Sequence, residues 1–198
     1  MGRHKTISDD EVLAFARRLF RERGYTVSTR QIARAAGISE TVLYQRFGSK
    51  DALFFAAMVP TAPDLQQLFG PSPLPDDAHE YVRTVAERMA GYFAEIVPMG
   101  IQIMTHPALG RTKSVQPSAS ARLTELLAIR LRSYARRRRV AATIPARDAA
   151  SVLTSLAHDW ALRQALSRKD VRDDRRQLAA MVDVIWRGLA PRARGPRR

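Results

Sequence analysis

Apolar residues recur at helical spacing along most of this sequence. The first apolar stripe lies close to the N-terminus and consists of Val12, Phe15, Ala16, Leu19 and Phe20. Spacings of three and four residues place such side chains on one face of a helix. Ser8 and Glu11 have the spacing of a capping box, and Gly24 is suited to a left-handed helix end. The pattern therefore predicts an amphipathic first helix between Ser8 and Gly24.

Three short helices are predicted next, each bounded by small residues. Ser28 and Gln31 form a second capping box, and Gly37 ends that helix after about two turns. Ser39 begins the third helix and Ser49 begins the fourth, because a serine side chain accepts from the free amides of a helix start. The first four helices are expected to form one compact unit.

A proline-rich connector over residues 59–77 follows, with one helical turn expected in "DLQQLF". The next helix is predicted from Ala78 to about Val97, and Pro98 is expected to break it before a short helix in "MGIQIMTHPALG". "RTKSVQPS" is predicted as a loop, and further helices are predicted over about 118–140, 145–166 and 172–189. No useful length alternates with period two, so the pattern predicts an all-α fold of about nine helices.

The sequence has a formal net charge of +14 over 198 residues and an isoelectric point near 11.3. Such a charge favours polyanionic partners, nucleic acid first and an anionic membrane surface second. Because nearly all of the positive residues are arginines, biased codon usage with solvated side chains is an alternative explanation. The longest uncharged run, 96–110, is too short to span a bilayer, so a cytoplasmic protein without membrane contact is expected.

Residues suited to catalysis or metal binding show no recognisable pattern. Cysteine is absent, which excludes a disulfide framework and a cysteine nucleophile. His4, His79, His106 and His158 are not at metal-ligand spacing. Neither a phosphate-cradling glycine-rich loop nor a nucleophile elbow occurs. We therefore expect no enzymatic activity, no metal and no cofactor.

The third helix has a polar outward face. It consists of Ser39, Glu40, Thr41, Tyr44, Gln45 and Arg46. Two short helices joined by a tight turn containing glycine are typical of the helix-turn-helix, whose second helix enters the major groove of DNA. Since a plain surface helix can be equally polar, the pattern alone leaves both interpretations open.

The stretch "TRQIARAAGISETVLYQRFGSKDALF" resembles the DNA-binding signature of the TetR family of bacterial transcriptional regulators. The resemblance extends back through "AFARRLFRERGY" and covers about residues 8–58. Together with the helix pattern it implies a helix-turn-helix DNA-binding domain over 1–58, the connector over 59–77, a ligand-sensing and dimerisation domain over 78–190, and a basic disordered tail over 191–198.

The resemblance also implies roles for individual residues. Thr29, Tyr44 and Lys50 are expected to hold phosphates, with a hydroxyl, a phenol and a cation suited to that task. Base contacts are expected from Arg30, Glu40, Thr41 and Val42; Gln45 and Arg46 suit either role, and Ser39 completes the predicted DNA-binding set. An arm of Arg3, His4 and Lys5 is expected to reach the backbone or a minor groove.

In this family the C-terminal bundle senses a small ligand, and the last two helices pair with those of a second subunit. The candidate ligand-binding residues are Met89, Phe93, Met99, Met104, Leu127, Tyr134 and Trp160, with Tyr134, His106 or His158 as polar anchors. The candidate dimer residues are Val152, Leu153, Leu156, Trp160, Leu178, Val182, Ile185 and Leu189. Ordinary core packing is the alternative for every residue of both sets.

These observations predict a sequence-specific transcriptional regulator, a homodimeric repressor released from its DNA operator by a small, mainly apolar ligand. The alternative is a non-specific or architectural nucleic-acid-binding protein that acts through its basic charge. A helical enzyme or a membrane-surface module is disfavoured. The run from Arg136 to Arg139 is interpreted as a solvated helix end, with a second nucleic-acid patch as the alternative.

Overall fold

The computed structural model describes residues 7–60, 62–70, 72–108, 119–137, 139–140, 144–166 and 172–190. Within these ranges the chain forms nine α-helices and no β-strand, which confirms the predicted all-α fold. The helices are α1 (Asp9–Arg23), α2 (Thr29–Ala35), α3 (Glu40–Phe47), α4 (Lys50–Ala57), α5 (Leu65–Phe69), α6 (Ala78–Met104), α7 (Ala119–Arg136), α8 (Ala146–Leu166) and α9 (Arg172–Leu189). A 3₁₀ turn, Gly24–Thr26, follows α1.

The chain divides into two compact units. The first comprises Met1–Thr61 and Pro98–Ser114, and the second comprises Ala62–Val97 and Val115–Arg198. The end of α6 therefore belongs with the N-terminal helices, although the sequence pattern did not indicate this. The predicted basic arm, the loop "RTKSVQPS" and the predicted tail lie outside the described residues.

The helix ends of the first unit follow the predicted capping residues. The Ser8 hydroxyl accepts from the Glu11 amide, and the Glu11 carboxylate accepts from the Ser8 amide at 2.8 Å. Ser28 and Gln31 repeat this arrangement at the start of α2. Gly37 has a φ angle of 69°, which side chains of L-residues disfavour. Glycine at this position therefore permits the tight turn from α2 into α3.

The first four helices pack around one apolar core. α1 contacts α2 and α4, and α3 contacts α2 and α4. The main core residues are Val12, Ala16, Leu19, Phe20, Ile32, Leu43, Leu53 and Phe54. Arg17 of α1 donates to the carbonyl of Ala57 at 2.7 Å and to that of Val59 at 3.2 Å. Because the last carbonyls of a helix lack partners within the helix, Arg17 secures the end of α4 to α1.

The predicted break at Pro98 is wrong, because α6 continues through this residue to Met104. Pro98 has no amide to donate to the carbonyl of Ala94, and a proline inside a helix costs about 3 kcal/mol. Val97 and Met99, on either side of it, are buried. Burying an apolar side chain of this size contributes about 1.5 to 3 kcal/mol, which offsets that cost. The short helix predicted after Pro98 is therefore the last part of α6.

In the second unit α8 packs against both α7 and α9. The buried positions of α8 are mostly small: Ala149, Ala150, Leu153, Thr154, Ala157 and Ala161. Small side chains allow helix axes to approach closely. The Tyr81 hydroxyl donates to the carbonyl of Phe69 at 3.1 Å, and the Tyr134 hydroxyl donates to that of Pro75 at 2.8 Å. These two bonds tie the proline-rich segment to α6 and α7.

The arginine run lies at the end of α7. Arg136, Arg137 and Arg139 are exposed, and Arg138 lies outside the described residues. Arg137 donates to the carbonyl of Leu74 at 3.4 Å, so one guanidinium of the run also contacts the proline-rich segment.

Tyr81 gives the second unit a predicted sensitivity to high pH. Burial raises the pKa of Tyr81 to about 12, and the charge of Arg130 opposes this rise. In the unfolded chain a tyrosine ionises near pH 10, so above that pH the unfolded chain releases a proton that the folded chain retains. The stability contributed by neutral Tyr81 is therefore complete below about pH 10 and is lost as the pH rises towards 12.

The unfolding free energy of the unsubstituted protein should decline over this pH range. In Tyr81→Phe we expect this decline to be smaller by about 1 to 2 kcal/mol. Urea denaturation at a series of pH values measures this decline. Tyr44→Phe, at an exposed position of the first unit, is the control and should leave the decline unchanged. Identical profiles for Tyr81→Phe and the unsubstituted protein would contradict the assignment.

Candidate nucleic-acid interface

α2 and α3 have the geometry of the predicted recognition motif. α2 covers Thr29–Ala35, α3 covers Glu40–Phe47, and the turn at Gly37 separates them. Ile32 and Leu43 are buried and attach the two helices to the core. A short helix, a tight turn and a second short helix on a common core define a helix-turn-helix.

The predicted DNA-binding residues differ in exposure. Arg30, Ser39, Thr41, Tyr44 and Gln45 are exposed, Glu40, Val42, Arg46 and Lys50 are half-buried, and Thr29 is buried. The Ser39 hydroxyl accepts from the amide of Val42 at 3.2 Å, so Ser39 is the cap of α3. The structure places the whole predicted set on α2, on α3 with its cap, and at the start of α4.

Thr29, Glu40 and Tyr44 form a hydrogen-bonded group between α2 and α3. The Thr29 hydroxyl donates to the Glu40 carboxylate at 2.5 Å and lies 3.3 Å from the Tyr44 hydroxyl. Only 7% of Thr29 is exposed, compared with 44% of Tyr44. A hydrogen bond to a carboxylate is stronger than one between neutral groups. Thr29 therefore orients its two neighbours, and Tyr44 is the member of the group that faces outwards.

Lys50 is held against the 3₁₀ turn that follows α1. Its ammonium donates to the Tyr25 carbonyl at 2.6 Å and lies 4.1 Å from the centroid of the Tyr25 ring. The face of an aromatic ring attracts a cation. Lys50 is also the first residue of α4, and the amides at a helix start favour an anion. An anion at this helix end would meet both the ammonium and the amides.

Arg46 connects the end of α3 to the start of α1. Its Nη1 donates to the carbonyl of Ile7 at 2.8 Å and lies 3.3 Å from the Asp9 carboxylate. Its side chain is 22% exposed, so much of the guanidinium is committed to these partners. Arg46 therefore secures the end of α3 to the residues at the start of α1.

The predicted ligand-binding residues do not share one environment. Met89, Phe93, Leu127 and Tyr134 are buried in the second unit, each with 1% or less exposed. Met99 is buried in the first unit. Met104 is 77% exposed and Trp160 is half-buried, so neither lies in the interior with the four buried residues.

The predicted polar anchors are also distributed over different places. The Tyr134 hydroxyl is bonded to the carbonyl of Pro75. His158 is exposed, and its ring contacts Phe93 with centroids 5.2 Å apart. His106 lies in the first unit, among aromatic residues near Lys50. The structure therefore places His106 with the helix-turn-helix and not in the bundle of the second unit.

The predicted dimer residues fall on two faces of α8 and α9. Leu153, Leu178, Val182 and Leu189 are buried within the second unit, each with 4% or less exposed. Val152 is 52% exposed, and Leu156, Trp160 and Ile185 are half-buried. Val184, which was not in the predicted set, is 64% exposed. The buried set belongs to the core, while an apolar surface remains on the outward side of both helices.

Tyr25 and Asp51 also belong to the region around Lys50, although neither was predicted as a site residue from the sequence. The Tyr25 hydroxyl donates to the Asp51 carboxylate. Asp51 is the acidic residue that follows Lys50 in the family signature, and this position could have predicted that it belongs to the site. Nothing in the sequence connects Tyr25 or His106 with Lys50, because the three are brought together only by folding.

The described part of the chain contains no helix that is long and apolar enough to cross a membrane. Three or more potential metal-ligating side chains do not come together anywhere in the residues that the structure describes.

The fold and the site define the class of this protein as a helical, helix-turn-helix DNA-binding regulator. Residues 12–57 match the family model described as bacterial regulatory proteins, tetR family. The N-terminal part of the chain therefore matches the DNA-binding region of the TetR family of bacterial transcriptional regulators, as its sequence signature indicated. A comparison with curated proteins found no relative of this sequence.

Several solved structures share this fold over nearly the whole chain. A TetR-family transcriptional regulator from Pectobacterium atrosepticum is 23% identical, with a TM-score of 0.65 over 93% of this chain and 95% of its own. PfmR, a TetR-family transcriptional regulator from Thermus thermophilus, is 25% identical, with a TM-score of 0.61 over 96% and 100%. NalD from Pseudomonas aeruginosa, the secondary repressor of the MexAB-OprM multidrug efflux pump, is 20% identical, with a TM-score of 0.55 over 91% and 95%.

Proposed function

We propose that this protein is a homodimeric, sequence-specific repressor that a small, mainly apolar ligand releases from its DNA operator. The observation that carries the proposal is the exposed polar surface of the helix-turn-helix. Arg30, Thr41, Tyr44 and Gln45 are exposed on α2 and α3, while Ile32, Ala33 and Leu43 of the same helices are buried. Hydrogen-bonding side chains at the start of a recognition helix are those that read base edges in the major groove.

The proposed roles follow from chemistry and exposure. Arg30 has the two donors that match guanine O6 and N7, and the Thr41 methyl suits a thymine methyl. Tyr44 and Lys50 are assigned to phosphates, because a phenol and an ammonium bind the backbone without reading sequence. Glu40 is assigned to cytosine N4, since its carboxylate would otherwise be repelled by phosphate. Thr29 supports Glu40 and is assigned no direct phosphate contact, in contrast to the role that the family resemblance implied.

A dimer is proposed because two half-sites one helical turn apart require two recognition helices. The outward apolar residues of α8 and α9 supply a suitable surface, with Val152 and Val184 both more than half exposed. Such apolar faces on two neighbouring helices are typical of a subunit contact. The interface we propose therefore includes Val152, Leu156, Trp160, Val184 and Ile185, and the buried residues of the predicted set support it from inside.

A small effector is proposed to bind within the second unit. Met89, Phe93 and Leu127 are buried there and would present apolar contacts. Thr154 is 2% exposed, and its hydroxyl has no hydrogen-bond partner among the described residues. A buried hydroxyl without a partner is costly, so a ligand atom that pairs with it would gain affinity. Repression is proposed by analogy with NalD, which is described as a repressor.

The test begins with selection of a binding site from random DNA, followed by footprinting at physiological salt. On the selected operator we expect Lys50→Ala and Tyr44→Ala to weaken binding about equally for all sequences. Arg30→Ala and Thr41→Ala should instead reduce discrimination at particular base pairs by about 1 to 3 kcal/mol. Release of the same operator by apolar compounds tests the proposed effector response.

Equal losses for all four variants on every DNA sequence would contradict these assignments. They would favour the second candidate function, a non-specific nucleic-acid-binding protein, which the net charge of +14 supports on electrostatic grounds. That candidate predicts a steep dependence of affinity on salt and no enrichment of a site during selection.

A further inference from the structure

A buried histidine outside the recognition helices lies beside the residues that hold Lys50. His106 is 6% exposed and belongs to the first unit. Its ring stacks on Phe54 with centroids 4.6 Å apart, and it meets Tyr25 and Phe55 edge-on at 4.3 and 4.9 Å. Aromatic neighbours on three sides keep water away, so the two ring nitrogens depend on protein groups.

The two nitrogens of His106 have different partners. The amide of Ala108 donates to Nδ1 at 3.1 Å. A nitrogen that accepts carries no proton, so the neutral ring holds its proton on Nε2. Nε2 has no hydrogen-bond partner in the described structure and lies 3.8 Å from the Asp51 carboxylate. The His106 ring therefore turns a buried N–H towards the carboxylate that also receives the Tyr25 hydroxyl.

Asp51 links this histidine to the lysine proposed to bind phosphate. It accepts from the Tyr25 hydroxyl, and Tyr25 in turn supplies a carbonyl and a ring face to the Lys50 ammonium. Burial, followed by the hydrogen bond to Asp51, raises the pKa of Tyr25 to about 12. Tyr25 therefore remains a donor to Asp51 at neutral pH. Asp51, Tyr25 and Lys50 form a connected group, and the His106 ring contacts that group through the Tyr25 ring.

We propose that His106 is a positioning residue for Lys50, acting through Asp51 and Tyr25. The proposal rests on the proposed function, in which Lys50 binds a DNA phosphate. His106 packs against the Tyr25 ring and faces the Asp51 carboxylate, and these two groups determine where the ring and carbonyl that hold Lys50 lie. The loss of His106 should weaken DNA binding by disturbing a contact that Lys50 makes.

The test is a double-mutant cycle on the full-length protein. The probe is a fluorescein-labelled, mixed-sequence duplex of about 30 base pairs, long enough for two half-sites one helical turn apart. Its dissociation constant is measured by fluorescence anisotropy at several salt concentrations for His106→Phe, Lys50→Ala and the double variant. A mixed-sequence duplex is suitable because phosphate contacts carry non-specific binding.

We expect His106→Phe to weaken binding about threefold to tenfold at constant salt. It should also reduce the slope of the logarithm of the binding constant against the logarithm of salt concentration. Lys50→Ala should reduce this slope by about 0.9, because one phosphate contact is lost, and His106→Phe should approach that value. In the Lys50→Ala background His106→Phe should have no further effect. His106→Gln, which retains an N–H near the position of Nε2, should recover part of the affinity.

Two further variants separate positioning from general damage to the fold. His79→Phe is the matched control, because the His79 ring also stacks on an aromatic ring, that of Trp186, and faces an aspartate, Asp183, but lies in the second unit. It should leave affinity and salt slope unchanged. Tyr25→Phe keeps the ring beneath Lys50 and removes only the donor to Asp51, so it tests the same connection if His106→Phe does not fold. In the Lys50→Ala background, Tyr25→Phe should cause no further loss of affinity.

Additive losses from His106→Phe and Lys50→Ala would overturn the positioning role and leave the proposed function standing. A Lys50→Ala variant that binds the duplex as tightly as the unsubstituted protein would overturn the phosphate role of Lys50 itself. The two failures are therefore distinguishable within one set of measurements.

Discussion

Val184→Glu is expected to convert the protein from a dimer into a monomer and to weaken operator binding by about 100-fold or more. Val184 is 64% exposed on α9, and two-fold symmetry would place the substitution twice in the proposed interface. A carboxylate buried there would lose its hydration without gaining a partner. A monomer presents one recognition helix and binds each half-site separately. In a dimer, binding at the first half-site holds the second recognition helix close to the second half-site. Sedimentation equilibrium and operator titration measure the two effects.

Ile129→Glu provides the matched control for this prediction. Ile129 lies on α7 of the same unit and is 48% exposed, but it is not on the proposed interface helices. A carboxylate at this position should change neither the mass in solution nor operator affinity. Dimerisation that persists in Val184→Glu, or a tightly binding monomer, would show that the interface or the need for a dimer is assigned incorrectly.

Phe54→Ala is expected to lower the unfolding free energy of the protein by about 3 to 5 kcal/mol. Only 1% of Phe54 is exposed, and its ring meets those of Phe20 and Tyr25 at 5.0 and 5.4 Å and that of His106 at 4.6 Å. Truncation would leave a cavity that these rings cannot fill. Because domains are stable by only about 5 to 15 kcal/mol, the first unit should unfold before the second.

Urea denaturation followed by circular dichroism measures this loss of stability. Phe15→Ala is the control, because Phe15 is half-buried on α1 and its removal should cost about 1 kcal/mol. Equal losses from the two substitutions would show that Phe54 is not the centre of the core in the first unit. Operator binding should fall with the population of folded helix-turn-helix.

The helical pattern and its boundaries were readable from the sequence because they depend on neighbours along the chain. A capping box needs residues three positions apart, as with Ser8 and Glu11, and a helix end needs a glycine such as Gly37. Pro98 was the exception, because the burial of Val97 and Met99 outweighed a local rule. Local signals therefore predicted the elements wherever tertiary packing did not compete with them.

The candidate site was readable as a set of residues, but the sequence could not show how those residues are engaged. Thr29 and Glu40 are eleven positions apart, and only folding shows that the threonine donates to the carboxylate. Arg46 is similarly engaged by Ile7, 39 positions away. In the sequence pattern, a polar residue on a helix looks the same whether its side chain faces solvent or bonds to a residue that is distant along the chain.

The apolar stripes of α8 and α9 show the same limit. Leu153 and Val152 are neighbours in sequence and both are aliphatic, yet one is 1% and the other 52% exposed. The stripe predicts a helix with an apolar face, but it does not tell the core from a surface that a second subunit can cover. That distinction depends on which other helices occupy the space beside α8.

The sequence by itself determined the helical fold, the position of the helix-turn-helix and its resemblance to the TetR family, because periodicity, caps and a local signature each depend on short stretches of the chain. Only the tertiary structure decided which apolar face of α8 and α9 is buried and which polar groups of the site are already paired. It also brought His106 beside Tyr25 and Asp51, more than 50 positions away in the chain. The physical reason is that burial and hydrogen bonding depend on distances in space, which packing sets between residues remote in sequence.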